Sequence, residues 1–549
     1  MRTPLSTYRL QIRDSFTLDD AAEVTGYLRD LGVSWAYLSP LLEATPGSDH
    51  GYDVVDVTRV DPARGGAEGL DRFVRAARAD ELGILIDIVP NHMGVSEPRS
   101  NAWWWDVLRQ GRASAHAESF DIDWEFGDGK VRVPILGADL ADEIGEISYD
   151  PTPADDAPDG LIRYYEHAFP VAPGTGTDAA ASGSRPAIEQ LLAAQNFELR
   201  FWQDEADDLN YRRFFAVTTL AGVRVELPEV FDATHAEILR WVREGLADGL
   251  RVDHPDGLVD PGGYLDRLAV ALEEAGDGEV GYVLGEKILE HGEALPSWWK
   301  TAGTTGYDAL AEIDRVLTDP AGEAALDALD ARLRVDSDLA PLTGWHDLIH
   351  DTKRKIADSI QVSEIRRLVR GLPAELREEF EADVLQDALA EILACFPVYR
   401  SYLPAGRAHL DAAAGEAEVR RPELGDVIEK LVPVLADTGL EVAWRFQQTT
   451  GPVMAKGVED TAFYRYTRLG SLTEVGGDPG EFSLDVAGFH TAQAQRHASW
   501  PTAMTTLSTH DTKRGEDTRA RIAVLAEIPE TWAARLAEFQ GIASTGHGP

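Results

Sequence analysis

The chain has 549 residues, 44% of them hydrophobic and 27% charged, with a formal net charge of −44 at pH 7. That length and composition fit a soluble globular protein with a large core and more than one domain. So acidic a surface repels phosphate backbones and anionic headgroups, which excludes nucleic acid and membrane surfaces as expected partners.

Cys395 is the single cysteine, so neither an intrachain disulfide nor a cysteine-rich metal site can form. The first residues, Met1 to Tyr8, run into a strand-like segment without an apolar signal core. No apolar run approaches the roughly 20 residues that span a bilayer. The expected location is the cytoplasm.

In chain order, Ser6 to Ile12 reads as a strand and Leu18 to Leu31 as an amphipathic helix ended by Gly32. Ser34 to Leu38 is a second strand, closed by Pro40, and Leu70 to Ala79 is again helical. Ile84 to Val89 is a near-continuous apolar strand stopped by Pro90. Such strands between helices indicate a parallel sheet covered on both faces.

The rhythm breaks from about Met93 to Pro228, a stretch rich in Trp, Gly, Pro and Asp that reads as an inserted subdomain. Alternation resumes with a helix over Ala233 to Arg243, a strand over Leu250 to Asp253, a helix near Tyr264 to Glu274 and a strand over Tyr282 to Glu286. Thr304 to Asp308 reads as a weaker sixth strand and Met504 to Ser508 as a seventh, with a mostly helical insertion between them. The expected division is 1–92 (first barrel part), 93–228 (inserted subdomain), 229–308 (strands four to six), 309–500 (helical insertion) and 501–549 (strand seven and a Gly- and Ser-containing tail from Gly541). Seven βα-type units fit an α/β (β/α)₈ TIM-type barrel better than a doubly wound sheet, since no Gly-x-Gly-x-x-Gly turn follows the first strand.

Chemistry in such a barrel sits at the carboxyl ends of the strands. The polar residues there are Asp87 with His92, Arg251 with Asp253, Glu286, and His510 with Asp511. In Leu250-Arg251-Val252-Asp253 the apolar residues face one side and a guanidinium and a carboxylate the other. Acids on three strand ends are the raw material of glycoside chemistry: a nucleophile, an acid for the leaving oxygen, and an anion beside an oxocarbenium-like transition state. Each has a plainer explanation. Arg251 and Asp253 can be a barrel ion pair, Glu286 and Lys287 a solvated pair, His510-Asp511 a helix N-cap and His92 a turn residue. Their coincidence at successive strand ends favours catalysis.

Tyr52 lies in a loop after the second strand, while Trp103-Trp104-Trp105 and Trp298-Trp299 lie in loops or short helices. Aromatic clusters usually serve a core, but consecutive tryptophans on a helix point about 100° apart and cannot all face one core, so stacking of at least one on a sugar ring is the alternative expectation. No phosphate loop, zinc helix or nucleophile elbow is present.

At these residues the chain resembles the α-amylase family of glycoside hydrolases and transglycosidases. The signature segments are Asp87-Ile88-Val89-Pro90-Asn91-His92, Gly249 to His254, Leu284-Gly285-Glu286 and Ser508-Thr509-His510-Asp511. Longer segments are similar to one branch of it: Thr7 to Gln11, Tyr164 to His167, Leu209 to Phe215, Gly451 to Thr461 and His510 to Arg514. The resemblance covers about Thr7 to Ile528.

The resemblance implies Asp253 as nucleophile, Glu286 as general acid/base and Asp511 as transition-state stabiliser. It places Tyr52, His92, Arg251, His254 and His510 around the attacked glucose. It implies that the terminal α-1,4 bond of a maltooligosaccharide becomes an α,α-1,1 bond by a retaining double displacement. The freed glucose must stay trapped away from water, and Trp299, Lys456 and Glu459 are candidates for that pocket. Lys456 and Glu459 can equally be a solvated pair. The mechanism calls for no metal and no cofactor, although some relatives hold calcium near the loop after Asn91. Relatives also continue with a last barrel unit and a C-terminal β-domain, so both are expected to be missing here, leaving unpaired sheet edges and reduced activity. A hydrolase or 4-α-glucanotransferase of the same family, or a non-catalytic carbohydrate binder, stays open, as does the oligomeric state.

Overall fold

Five parallel strands carry the first part of the chain: β1 (Thr7–Leu10), β2 (Trp35–Leu38), β3 (Gly83–Ile88), β4 (Gly249–Val252) and β5 (Tyr282–Gly285). They belong to a computed structural model that describes residues 3–177, 180, 183–276, 281–337, 339–341 and 344–546. The chain divides into two units. The first is Met1–Gly285 with Ser359–Ala374 and Trp444–Gln448; the second is Glu286–Asp358 with Glu375–Ala443 and Thr449–Pro549.

In the first unit each strand pairs in parallel with the next in chain order: Thr7 opposes Trp35, Trp35 opposes Gly83, Leu85 opposes Gly249 and Gly249 opposes Tyr282. Successive staves of a (β/α)₈ barrel pair this way, and the strands of a doubly wound sheet do not. All residues of β2, β3, β4 and β5 are buried, as expected for strands covered on both faces. Gly83 is required where the Trp35 indole crosses the sheet, since a Cβ there would meet the ring. Helix Gly66–Ala79 turns Leu70, Phe73, Val74 and Ala77 inward, and helix Pro228–Arg243 does so with Val230, Phe231, Ile238 and Trp241.

Between β3 and β4 the chain builds smaller sheets. Ile147–Asp150, Leu161–Tyr164 and His167–Pro170 pair antiparallel. His92–Gly94 pairs with Val217–Gly222, which pairs with Arg213–Phe214. Asp121 ties this region to two distant segments. Its carboxylate accepts from Arg212 at 3.1 Å, Arg367 at 2.7 Å and Arg445 at 2.9 Å. Burial opposes the charge of Asp121, but the three guanidiniums hold its pKa well below the ordinary carboxylate value.

The second unit is mainly helical, with helices Tyr307–Val316, Glu323–Asp336, Trp345–Ala357, Ala382–Cys395, Arg407–Arg420 and Gly425–Leu435. A cluster of Leu326, Leu329, Leu469, Leu472, Phe482 and Ala526 forms one of its cores. Among the described residues no helix is long and apolar enough to cross a membrane.

Several sequence expectations are corrected. Leu18–Leu31 is two helices, Leu18–Glu23 and Thr25–Leu31, broken at Val24, whose φ of −97° and ψ of 0° end one turn and begin the next. The sixth strand is only Gly303–Thr304, because Gly306 at φ 97° starts helix Tyr307–Val316. Met504–Ser508 forms no ladder: the Leu507 carbonyl accepts from Arg519, and a Thr512 hydroxyl bonds the Thr509 carbonyl at 2.8 Å. Gly541 to Gly546 ends helix Pro529–Gly546 instead of lying in a tail, and residues 547–549 lie outside the described residues.

Candidate active site

Strand register aligns the polar residues of the first unit. Arg251 opposes Asp87, while Arg9 opposes Tyr37 and Tyr37 opposes Leu85, two residues before Asp87. With side chains alternating along a strand, Arg9, Tyr37, Asp87, Arg251 and Asp253 share one face of the sheet. Asp253 follows β4 directly, its N–H donating to the Ile88 carbonyl at 2.9 Å.

Arg251 is fully buried, and its Nη1 lies 2.9 Å from Asp87 Oδ1 and 2.7 Å from Asp253 Oδ1. One guanidinium therefore holds two carboxylates, and the second oxygen of Asp87 accepts from Tyr52 at 2.5 Å and Tyr37 at 3.1 Å. Arg9 completes the chain by donating to the Tyr52 hydroxyl at 3.2 Å. Burial, then the neighbouring Asp87, pushes the Tyr52 phenol well above its ordinary pKa, so it stays a donor. Burial opposes the Arg9 charge, but Tyr52, Tyr37 and Asp87 more than offset it and raise its pKa. Two carboxylates and two arginines thus meet in one hydrogen-bonded chain, the arrangement that makes buried charges tolerable.

The next residue, His254, has φ 41°, a left-handed conformation uncommon outside glycine, and breaks the strand there. Gly257 follows, held so closely to Asn91 that a Cβ would lie 2.5 Å from its Oδ1. The His254 ring meets Phe214 and Phe215 edge-on, and His92 packs against Phe214 at 4.4 Å. Burial, with His254 and Arg212 nearby, pulls the His92 pKa down to about 3 and keeps the ring neutral. Tyr52, His92, Arg251, Asp253 and His254 are thus gathered in the first unit.

The remaining candidates belong to the second unit. Glu286 follows β5 directly and is partly buried. Asp511 accepts from the Tyr307 hydroxyl at 2.7 Å, and His510 Nε2 lies 3.3 Å from its other oxygen. His510-Asp511 is no helix cap: helix Glu516–Ala523 starts later, and Glu474 instead accepts from the backbone N–H groups of Lys513 and Arg514 at 2.6 and 3.0 Å. Trp299 is 3% exposed and meets Tyr402 edge-on at 4.7 Å. Lys456 and Glu459 are not each other's partners. Lys456 bonds Asp460 at 2.6 Å, and Glu459 lies 3.9 Å from Lys513.

Each tryptophan of the triplet has protein neighbours, and Trp104 and Trp105 are buried. Trp104 packs on Phe120 and Tyr211, Trp105 donates to the Asp156 carbonyl at 2.8 Å, and Trp103 stacks on His116 at 4.6 Å.

Residues 17–262 match the α-amylase catalytic domain. The chain is 45% identical over 544 residues to a putative maltooligosyl trehalose synthase of Mycobacterium tuberculosis, covering 98% of this chain and 67% of that protein. The chain belongs to the maltooligosyltrehalose synthase family. The solved maltooligosyltrehalose synthase of Arthrobacter ramosus is 53% identical, with a TM-score of 0.89 over 98% of this chain and 67% of that one. A hypothetical maltooligosyl trehalose synthase of Sulfolobus tokodaii is 33% identical, with a TM-score of 0.78 over 99% of this chain and 67% of that one. The chain spans about two thirds of the length of these members of the maltooligosyltrehalose synthase family.

Tyr37 and Arg9 complete the network although neither is a sequence candidate; Arg9 lies in the Thr7 to Gln11 segment that carries the resemblance, and Tyr37 in no such segment. Their signal is register: each lies at even spacing on the face that Asp87 and Arg251 define. Among the described residues His350, Glu391 and Cys395 bring possible metal donors within 4.8 Å of one another. Glu391 is already engaged there, by His350 at 2.8 Å and Arg354 at 2.8 Å, and burial first pushes the Cys395 thiol up to about 12. That chemistry suits a polar tie between two helices better than a cation.

Proposed function

We propose that this chain isomerises maltooligosaccharides, turning the reducing-end α-1,4 bond into an α,α-1,1 bond within one bound molecule. Similarity over 98% of the chain to maltooligosyltrehalose synthases carries this reading, and Asp253, held 2.7 Å from the Arg251 guanidinium, supports it. Linear α-1,4-glucan is the proposed substrate.

Asp253 attacks the anomeric carbon while Glu286 protonates the oxygen of the departing reducing-end glucose. A covalent glycosyl-enzyme forms on Asp253, and Asp511 stabilises the positive charge of both transition states. The glucose stays bound, turns, and offers its anomeric hydroxyl. Glu286, now a carboxylate, takes that proton as the new bond forms and Asp253 leaves. Two inversions give retention. Arg251 keeps Asp253 anionic and aimed. Tyr52, His92, His254 and His510 hold the attacked glucose, and Trp299, Lys456 and Glu459 hold the turning one, excluding the water that would release it.

Chromatography of products from maltopentaose tests this. Loss of reducing ends without free glucose supports isomerisation. Accumulated glucose points to a hydrolase, longer α-1,4 chains to a glucanotransferase, and no turnover to a binding protein.

A further inference from the structure

Ala455–Ala462 forms a π-helix, a rare form that recurs at functional positions. Its Glu459 side chain is 13% exposed. The Oε1 atom is buried with no hydrogen-bond partner among the described residues. The other oxygen is 3.9 Å from the Lys513 ammonium, at the outer limit of an ion pair. A carboxylate left so poorly satisfied is costly, whereas the neutral acid avoids most of that cost.

The groups facing Glu459 are mostly of its own sign. Lys513 favours the anion, while Asp511 on the same loop, Asp460 on the π-helix and Glu290 oppose it. Lys456, one turn back, is committed to Asp460 at 2.6 Å. Helix Trp345–Ala357 packs on the π-helix at Gly457, where a Cβ would lie 2.6 Å from Lys353 Cγ. The Lys353 ammonium donates to the Phe396 carbonyl at 2.5 Å, and its charge is felt by Glu290. Burial first, and these anions next, lift the Glu459 pKa to about 8.

We propose that Glu459 is a neutral carboxylic acid in the working enzyme, that in this form it positions Asp511 from its place in the glucose pocket, and that losing this proton lowers activity at alkaline pH. Neutral Glu459 leaves the Lys513 charge available to the loop that carries Asp511. Ionised, it draws Lys513 into a tight pair and adds a negative charge next to Asp511. Only the consequence for activity rests on the isomerase reading; the protonation state does not.

The test uses the 549-residue chain, wild-type and Glu459→Gln, which keeps the shape of the neutral acid, with Glu459→Ala as control. Infrared difference spectra of wild-type minus Glu459→Gln are expected to show a protonated-carboxyl band at pH 7 that disappears through about pH 8. Subtracting Glu459→Gln removes the contribution of Glu290, whose pKa burial first and then Glu293 raise to about 7. Absence of the band at pH 7 overturns the proposal whether or not the chain turns over sugar. In kinetics, kcat of wild-type is expected to fall about tenfold per pH unit above that value. Glu459→Gln is expected to lose that limb and to exceed Glu459→Ala about tenfold at neutral pH. An unchanged limb in Glu459→Gln, or Gln no better than Ala, overturns the positioning role.

Discussion

Arg251 Nη1 lies 2.7 Å from Oδ1 of Asp253, two residues further along the same strand end. The same nitrogen holds Asp87 on the neighbouring strand, so one buried cation ties the proposed nucleophile to a second carboxylate. Removing it strands two carboxylates in the interior. Arg251→Ala is expected to lose about 3–5 kcal/mol of stability in urea unfolding, because breaking a buried pair leaves uncompensated charge. Wild-type stability would contradict the buried network.

The Tyr52 hydroxyl both donates to Asp87 and accepts from Arg9. Tyr52→Phe leaves the ring in place and removes both bonds. The expected cost is about 1–3 kcal/mol, the penalty of under-satisfied buried polar groups, read from the shift in unfolding midpoint.

Asp121 accepts from three arginines on separate chain segments. Because its pKa is depressed on folding, its contribution is complete above the ordinary carboxylate pKa of about 3.9 and is lost as pH falls through the folded value. Asp121→Asn is expected to cost about 3–5 kcal/mol at pH 7 and to be less harmful below pH 3. Equilibrium unfolding at both pH values checks this; equal losses would contradict it.

His235 is buried, with Nε2 2.8 Å from the Tyr264 hydroxyl and Nδ1 2.9 Å from the Phe231 carbonyl. Burial pulls its pKa from 6.5 to about 4. The unfolded chain then binds the proton more tightly, so stability is full above about pH 6.5 and declines as pH falls toward 4. The decline is about 3 kcal/mol for this residue. His235→Gln is expected to flatten the slope of unfolding free energy across that window, and an unchanged slope would contradict the assignment.

Strands were legible where composition and period agree. The apolar run ending at Ile88 and the alternation of Leu250, Arg251, Val252 and Asp253 both map onto strands to within one residue. Met504–Ser508 also reads as a strand, but its Leu507 and Ser508 carbonyls accept from the Arg519 and Thr506 side chains, which alternation does not reveal. Candidate acids stood out because strand ends concentrate function. Their partners did not: Tyr37 and Arg9 reach the site through register across strands, and the Asp121 tie, apart from the site, spans segments 246 and 324 residues away. In the tryptophan triplet each ring has a different protein neighbour, consistent with the 100° spread.

Isomerisation within one complex is tested most directly by isotopic fate. Maltopentaose labelled with carbon-13 in its reducing-end glucose is incubated with the chain and a large excess of unlabelled glucose. NMR is expected to show the label in the α,α-1,1-linked end of the pentasaccharide, undiluted by the added glucose. Label released as free glucose, or replaced by unlabelled glucose in the new linkage, would contradict intramolecular transfer.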